Sequence, residues 1–170
     1  IDINRPPLVE SPRWRDDRAI LVMKGGLAVA ACIGWNEPSL WPRTGQVFFT
    51  AVLKEHRRLG LGAFVVSRLL EQFVHEDLSD AILSTEEYRL PAIELYLKVG
   101  FRPLITGRAH DEHQRWERVS SDLNKPELLR WIYGTTILEL PPHLPEMAEV
   151  ASVASMSLCD VIRRDIMGHP

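Results

Sequence analysis

Gln46-Val47-Phe48-Phe49-Thr50-Ala51-Val52-Leu53-Lys54-Glu55-His56-Arg57-Arg58-Leu59-Gly60-Leu61-Gly62-Ala63 is the stretch from which the rest of the chain can be read. Gln46 to Leu53 are β-formers throughout and give a strand. Leu61 to His75 give a helix, on which Phe64, Val65, Leu69 and Phe73, less regularly joined by Val66, Leu70 and Val74, form a wide apolar stripe. The first amides of such a helix lack intrahelical acceptors and point toward any anion in front of them. Gly60 and Gly62 remove side chains that would hold a phosphate off the backbone, and Arg57 and Arg58 add positive charge. The segment has no Gly-Lys-Ser/Thr, so it is not a nucleoside-triphosphate loop, and the third glycine of the dinucleotide fingerprint would fall at Val65. Taken alone, a glycine-relaxed turn with solvated arginines accounts for it as well as a pyrophosphate cradle does.

On the N-terminal side, Ala19 to Met23 and Leu27 to Trp35 read as two strands joined at Gly25-Gly26, which suits a two-residue hairpin. Asn36 to Pro42 form a loop broken by two prolines. On the C-terminal side, Ala81 to Thr85 read as a fourth strand, and Pro91 to Val99 as a helix with proline in its first turn and Gly100 just past its end. Phe101 to Thr106 read as a further extended segment. The order β-β-β-α-β-α-β implies an α/β (α+β layered) fold, with a mixed, mostly antiparallel central sheet flanked by helices. Arg108 to Arg118, with His110, His113 and Trp116, reads as a polar loop, Pro126 to Tyr133 as a short helix and Thr135 to Leu140 as a strand. Glu146 to Met167 reads as an amphipathic helix, with Met147, Val150, Ala151, Ala154, Leu158, Val161 and Ile162 on one side. The expected organisation is an N-terminal coil at 1–18, a domain at 19–125 and a C-terminal helical extension at 126–170.

The 170 residues are 45% hydrophobic and carry a net charge of -3, an ordinary globular composition with no electrostatic reason to expect nucleic acid or an anionic membrane as partner. No apolar run approaches the roughly 20 residues of a membrane-spanning helix. Cys32 and Cys159 form neither a disulfide framework nor a metal cluster, and Cys32 sits in an apolar run. With no secretory signal at the start, a reducing cytoplasmic location is expected. The chain begins at Ile1 rather than Met, which reads as a trimmed N-terminus.

Val52 to Ala63 resembles the acyl-CoA-binding motif of the Gcn5-related N-acetyltransferase superfamily, Arg/Gln-x-x-Gly-x-Gly/Ala after a strand, with Arg57, Gly60 and Gly62 in the defining places. Ala92-Ile93-Glu94-Leu95-Tyr96-Leu97-Lys98-Val99-Gly100-Phe101 resembles the same family's second signature, a tyrosine-bearing helix ending in Gly-Phe. The resemblance covers Ala19 to Phe101. It implies an acyl-CoA-dependent N-acyltransferase using acetyl-CoA as co-substrate and no metal. Backbone groups at Val52 and Leu53 would pair with the pantetheine arm, and amides of Arg57, Arg58, Leu59, Gly60, Leu61, Gly62 and Ala63 would bind the pyrophosphate. The strands of Val52 and Ser84 would splay around the thioester. Tyr96 would protonate the departing thiolate, a role open to a phenol whose ordinary pKa is near ~10; packing among Ile93, Leu95, Leu97 and Val99 is the plainer role for it.

Three features depart from the family pattern. Gln46 to Val52 lacks the glutamate that many members carry there, so the base is unassigned; Glu37, Glu86 and Glu87 are candidates that also suit a solvated surface. Arg89 stands where an asparagine is common. Only eighteen residues precede Ala19, so the family's first strand and two helices are expected to be absent or to lie in an unseen part of a longer chain. The acceptor is expected to be a small-molecule or peptide amine, a homodimer through the C-terminal helix stays open, and a non-catalytic acyl-CoA-binding or interaction module is the alternative function.

Overall fold

The computed structural model describes residues 14–39, 41–105 and 111–134, and the backbone of a strand at 153–157. They fall into two compact units, one running to Ala81 and resuming at Ser157, the other spanning Ile82–Met156.

In the first unit, β1 (Ala19–Lys24), β2 (Leu27–Asn36) and β3 (Thr44–Val52) form an antiparallel meander. Gly25 and Gly26 close the β1–β2 hairpin with φ of 57° and 80°, the doubly positive pair that this tight turn requires. Helix α1 (Leu61–His75) lays Val65, Val66, Leu69, Leu70 and Phe73 on one face of the meander, all of them buried. The helix comes close because Gly34 and Gly45 carry no side chain. A Cβ at Gly45 would lie 2.4 Å from the Phe73 ring, and one at Gly34 would lie 2.6 Å from Leu69 and 2.7 Å from Phe73.

The far end of α1 is tied down electrostatically. Arg18, only 5% exposed, closes a single 3-10 turn at Asp16–Arg18 and donates from Nε to both carboxylate oxygens of Glu76, at 3.1 and 3.0 Å. Gln72 Nε2 donates to the same carboxylate at 3.0 Å. Burial opposes the charge on Glu76, but the hydrogen bonds from Arg18 and Gln72 outweigh it and hold this carboxyl below the usual carboxylate range.

Strand β4 (Asp80–Ser84) runs across the division between the units. The second unit continues with α2 (Leu90–Val99), β5 (Arg102–Leu104), α3 (Glu112–Asp122), α4 (Leu128–Gly134) and β6 (Val153–Ser157), and β6 is hydrogen-bonded between β4 and β5. Its core is Ile93, Ile105, Trp116, Val119, Leu128 and Ile132. The fold class is the mixed α/β arrangement expected, with mostly antiparallel strands flanked by helices.

Two local expectations are corrected. Residues Glu112–Asp122 are helical rather than a loop: Trp116 and Val119, three apart, are both buried, and the amide of Arg115 bonds back to Asp111 at 2.9 Å. Two apolar anchors among polar neighbours were too sparse a period to read. Within the helix expected over Glu146 to Met167, Val153–Ser157 instead pair antiparallel with β5, setting Ser155 against Arg102 and Val153 against Leu104. Helix propensity is a weak prior, and a long-range partner strand overrides it. The strand expected at Thr135 to Leu140, the rest of that helix and His110 lie outside the described residues.

Two substitutions test this packing. Gly45→Ala forces Phe73 to move and is expected to cost about 2 kcal/mol by overpacking, read from urea unfolding midpoints. Glu76→Gln is expected to cost about 2 kcal/mol at neutral pH by weakening charge-assisted hydrogen bonds. Because the folded carboxyl titrates below its unfolded value, this contribution is fully present above the ordinary carboxylate range and is lost as pH falls through the lower folded value. Parent and variant unfolding free energies should therefore converge in acid.

Candidate functional site

The strand β3 passes into the phosphate-type turn without a break in the sheet. The Leu53 amide donates to the Val29 carbonyl at 2.9 Å, so Leu53 is committed to β2. Alternation along the strand turns the N–H and C=O of Val52 the other way. There the Val52 carbonyl accepts the Arg57 Nε at 3.2 Å, so the Arg57 side chain spans the turn back to the end of its own strand. A 3-10 turn at Lys54–His56 shortens the connection, with the His56 amide bonded to the Leu53 carbonyl at 2.9 Å.

The turn then takes two left-handed residues. Arg58 has φ 63° and Gly60, the N-cap of α1, has φ 78°. Gly60 gives no side-chain cap to the leading amides of the helix, while its carbonyl accepts the first helical bond, from Phe64 at 3.0 Å. Arg57, Arg58, Leu59 and Gly60 are exposed, and Gly62 is buried one residue into the helix. An exposed helix start with unpaired leading amides, capped by glycine and flanked by two arginines, can hold a pyrophosphate with backbone donors. Thus Arg57, Arg58, Leu59, Gly60, Leu61, Gly62 and Ala63 share one turn, and Val52 and Leu53 end the strand that leads to it.

Tyr96 belongs to the second unit. It is half-buried on α2 and meets Phe101 edge to face, with ring centroids 6.0 Å apart. Gly100, with φ 120°, ends the helix, and the amides of Gly100 and Phe101 both bond to the Tyr96 carbonyl, at 3.1 and 3.0 Å. The Gly-Phe pair thereby locks the turn of backbone from which Tyr96 projects. Arg89, the N-cap of α2, supplies no cap and pairs with Glu86 at 2.8 Å.

The three candidate bases are all engaged. Glu37 accepts the Ser39 hydroxyl at 2.6 Å, Glu86 pairs with Arg89, and Glu87 accepts Arg115 Nε at 3.0 Å. His113 lies on α3 against the Tyr133 ring, with centroids 5.5 Å apart. Among the described residues there is no group of three or more His, Cys, Asp or Glu able to hold a metal ion. Cys32 is fully buried beside the Thr50 hydroxyl at 3.5 Å; burial pushes its thiol up to about 12, against the smaller opposing effect of that hydroxyl.

One pair escaped the sequence reading. Gly34 and Gly45 face α1, so Trp35 and Gln46, their successors, face away from it. A bulge follows: Gly34 pairs with Val47 and Ile33 with Phe49, leaving Phe48 as an extra residue on β3. The bulge lets Phe48 lie flat on Trp35, with ring centroids 3.5 Å apart and planes 11° from parallel. Phe48 remains 40% exposed. Strand alternation gives the face of Trp35, but no sequence signal marks the bulge.

Comparison with known proteins places this geometry. The model of the Acetyltransferase (GNAT) family matches residues 3–101. The chain is similar in structure to an acetyltransferase of the GNAT family from Staphylococcus aureus Mu50, at 14% identity over 93% of this chain and 81% of that one, with a TM-score of 0.59. It is similar to Ard1 from Thermoplasma volcanium at 18% identity over 62% and 69%, TM-score 0.52. It is also similar to GCN5 from Tetrahymena at 10% identity over 82% and 67%, TM-score 0.51. At these identities the likenesses speak for the fold. No curated protein matches the chain by sequence.

Gly60→Ala isolates the backbone requirement of the turn. An added Cβ meets nothing within 4 Å, so only the positive φ is penalised. A loss of about 1 kcal/mol in unfolding free energy is expected, with unchanged circular dichroism.

Proposed function

The chain belongs to the GNAT acetyltransferase family, whose model spans more than half of it, and from that premise we propose that it transfers an acetyl group from acetyl-CoA to a primary amine. The observation that carries this reading is the Arg57–Gly62 turn, in which an exposed glycine N-cap, leading amides with no side-chain cap and two exposed arginines suit the pyrophosphate of coenzyme A. Val52, whose peptide groups turn away from β2, is the pairing site for the pantetheine arm; Leu53 reinforces it by fixing the strand end.

In this reading the amine nitrogen attacks the thioester carbonyl carbon directly. A C–N bond forms, the C–S bond breaks, and the thiolate takes a proton from the Tyr96 hydroxyl, which is restored by the proton lost from nitrogen. Holding two substrates in register supplies much of the acceleration. Tyr96 suits the role because its backbone is locked by Gly100 and Phe101.

A non-catalytic acyl-CoA-binding module is the second reading, favoured by the absence of a carboxylate from β3 and by the pairing of Glu37, Glu86 and Glu87 elsewhere. Calorimetric titration with acetyl-CoA tests both: binding is expected, and none at millimolar ligand removes both. Tyr96→Phe is expected to lower kcat about a hundredfold with KM for acetyl-CoA unchanged. Measurable turnover by the parent protein rejects the inert module.

A further inference from the structure

The face of the β2–β3 pair that looks away from α1 carries a flat aromatic surface and no acid. Its ring pair is Trp35 under Phe48; Trp35 stacks on one face of Phe48, and Phe48 stays 40% exposed. Around it stand Ile33, Gln46, Phe49 and Ala51, and neither β2 nor β3 contains Asp, Glu, His, Lys or Arg. A partly exposed ring in such a stack can take a further planar group, since offset stacking and edge contacts favour an aromatic partner beyond the area buried.

Position and chemistry agree with an acceptor-binding role. An arm leaving the turn and running back along β3 covers roughly 3.3 Å per residue. Phe48, four residues before Val52, therefore lies about 13 Å back along the strand, a distance a pantetheine chain can traverse. The side chains that β2 and β3 themselves bring to this face are uncharged, so they offer a protonated aliphatic amine neither a counter-ion nor a base. An amine bonded to an aromatic ring is different: its lone pair is delocalised, it is uncharged at neutral pH, and it can attack without prior deprotonation.

Building on the acetyltransferase reading, we propose that the acceptor is an arylamine whose ring stacks on Phe48 over Trp35, with Phe48 the residue that sets this specificity. The arylamine nitrogen bonds to the acetyl carbon, the thiolate of coenzyme A leaves, and the nitrogen's surplus proton balances the thiol. The products are an N-aryl acetamide and free coenzyme A.

The test compares p-toluidine, the matched aliphatic 4-methylcyclohexylamine, and spermidine, each with acetyl-CoA, by initial rates of thiol release from the full chain. Expected is a kcat/KM at least about tenfold higher for p-toluidine than for either aliphatic amine. Phe48→Leu should raise KM for p-toluidine about tenfold with KM for acetyl-CoA unchanged, and Phe48→Trp should restore it. Equal or better use of the aliphatic amines, or a Phe48→Leu variant with unchanged KM for p-toluidine, overturns the assignment and leaves the acetyltransferase reading standing. Acetyl-CoA binding without turnover of p-toluidine overturns it too, and favours the inert module only where no amine is acylated. Failure to bind acetyl-CoA in calorimetry overturns both readings together.

Discussion

The Phe73 ring occupies space that two β-strands leave empty, and the first unit is organised around that fit. Gly34 on β2 and Gly45 on β3 make the groove, and any larger residue at either place would push α1 outward. Once the ring is seated, the axis of α1 is set relative to the sheet, and so is the place where the helix begins. A 15-residue helix is about 22 Å long, so a small tilt at Phe73 becomes a large displacement at Gly60. The salt bridge between Arg18 and Glu76 acts at the opposite end from the turn and removes the remaining freedom. The turn is thus the fixed tip of a rod, and on the proposed reading of it as a pyrophosphate site, preorganisation of this kind lowers the ordering cost of binding.

β3 serves two purposes because neighbouring residues face opposite ways. Val47, Thr50 and Val52 follow the α1 side, which belongs to the core and the turn, whereas Gln46, Phe48 and Phe49 look to the other side. The bulge breaks the strict alternation between the two sets and places two consecutive aromatic residues on one face. One strand can in this way present a donor at its end and an aromatic surface along its length.

Much of this was legible in the sequence. The hairpin at Gly25-Gly26, the helix over Leu61–His75 and the Gly100 stop rest on local rules, and all appear at the expected residues. The positive φ of Gly60 could be anticipated from its place ahead of a helix; that of Arg58 could not, since a side chain gives no hint that its backbone is left-handed. What failed depended on distant partners. Val153 to Ser157 carry alanine and methionine, which suit a helix, until β5 offers them a ladder. Trp116 and Val119 show as a helix face only once the second core surrounds them. The Trp35–Phe48 stack needed a register shift that no residue type announces.

The burial of Cys32 has a practical side. Sealed between β2 and α1, with its thiol held in the protonated form well into alkaline conditions, it offers no nucleophile to disulfide reagents or alkylating labels. A chromogenic reagent that detects liberated coenzyme A therefore meets no competing signal from this residue while the sheet is intact. The same silence makes Cys32 a reporter: once it colours the reagent, the packing around β2 has opened.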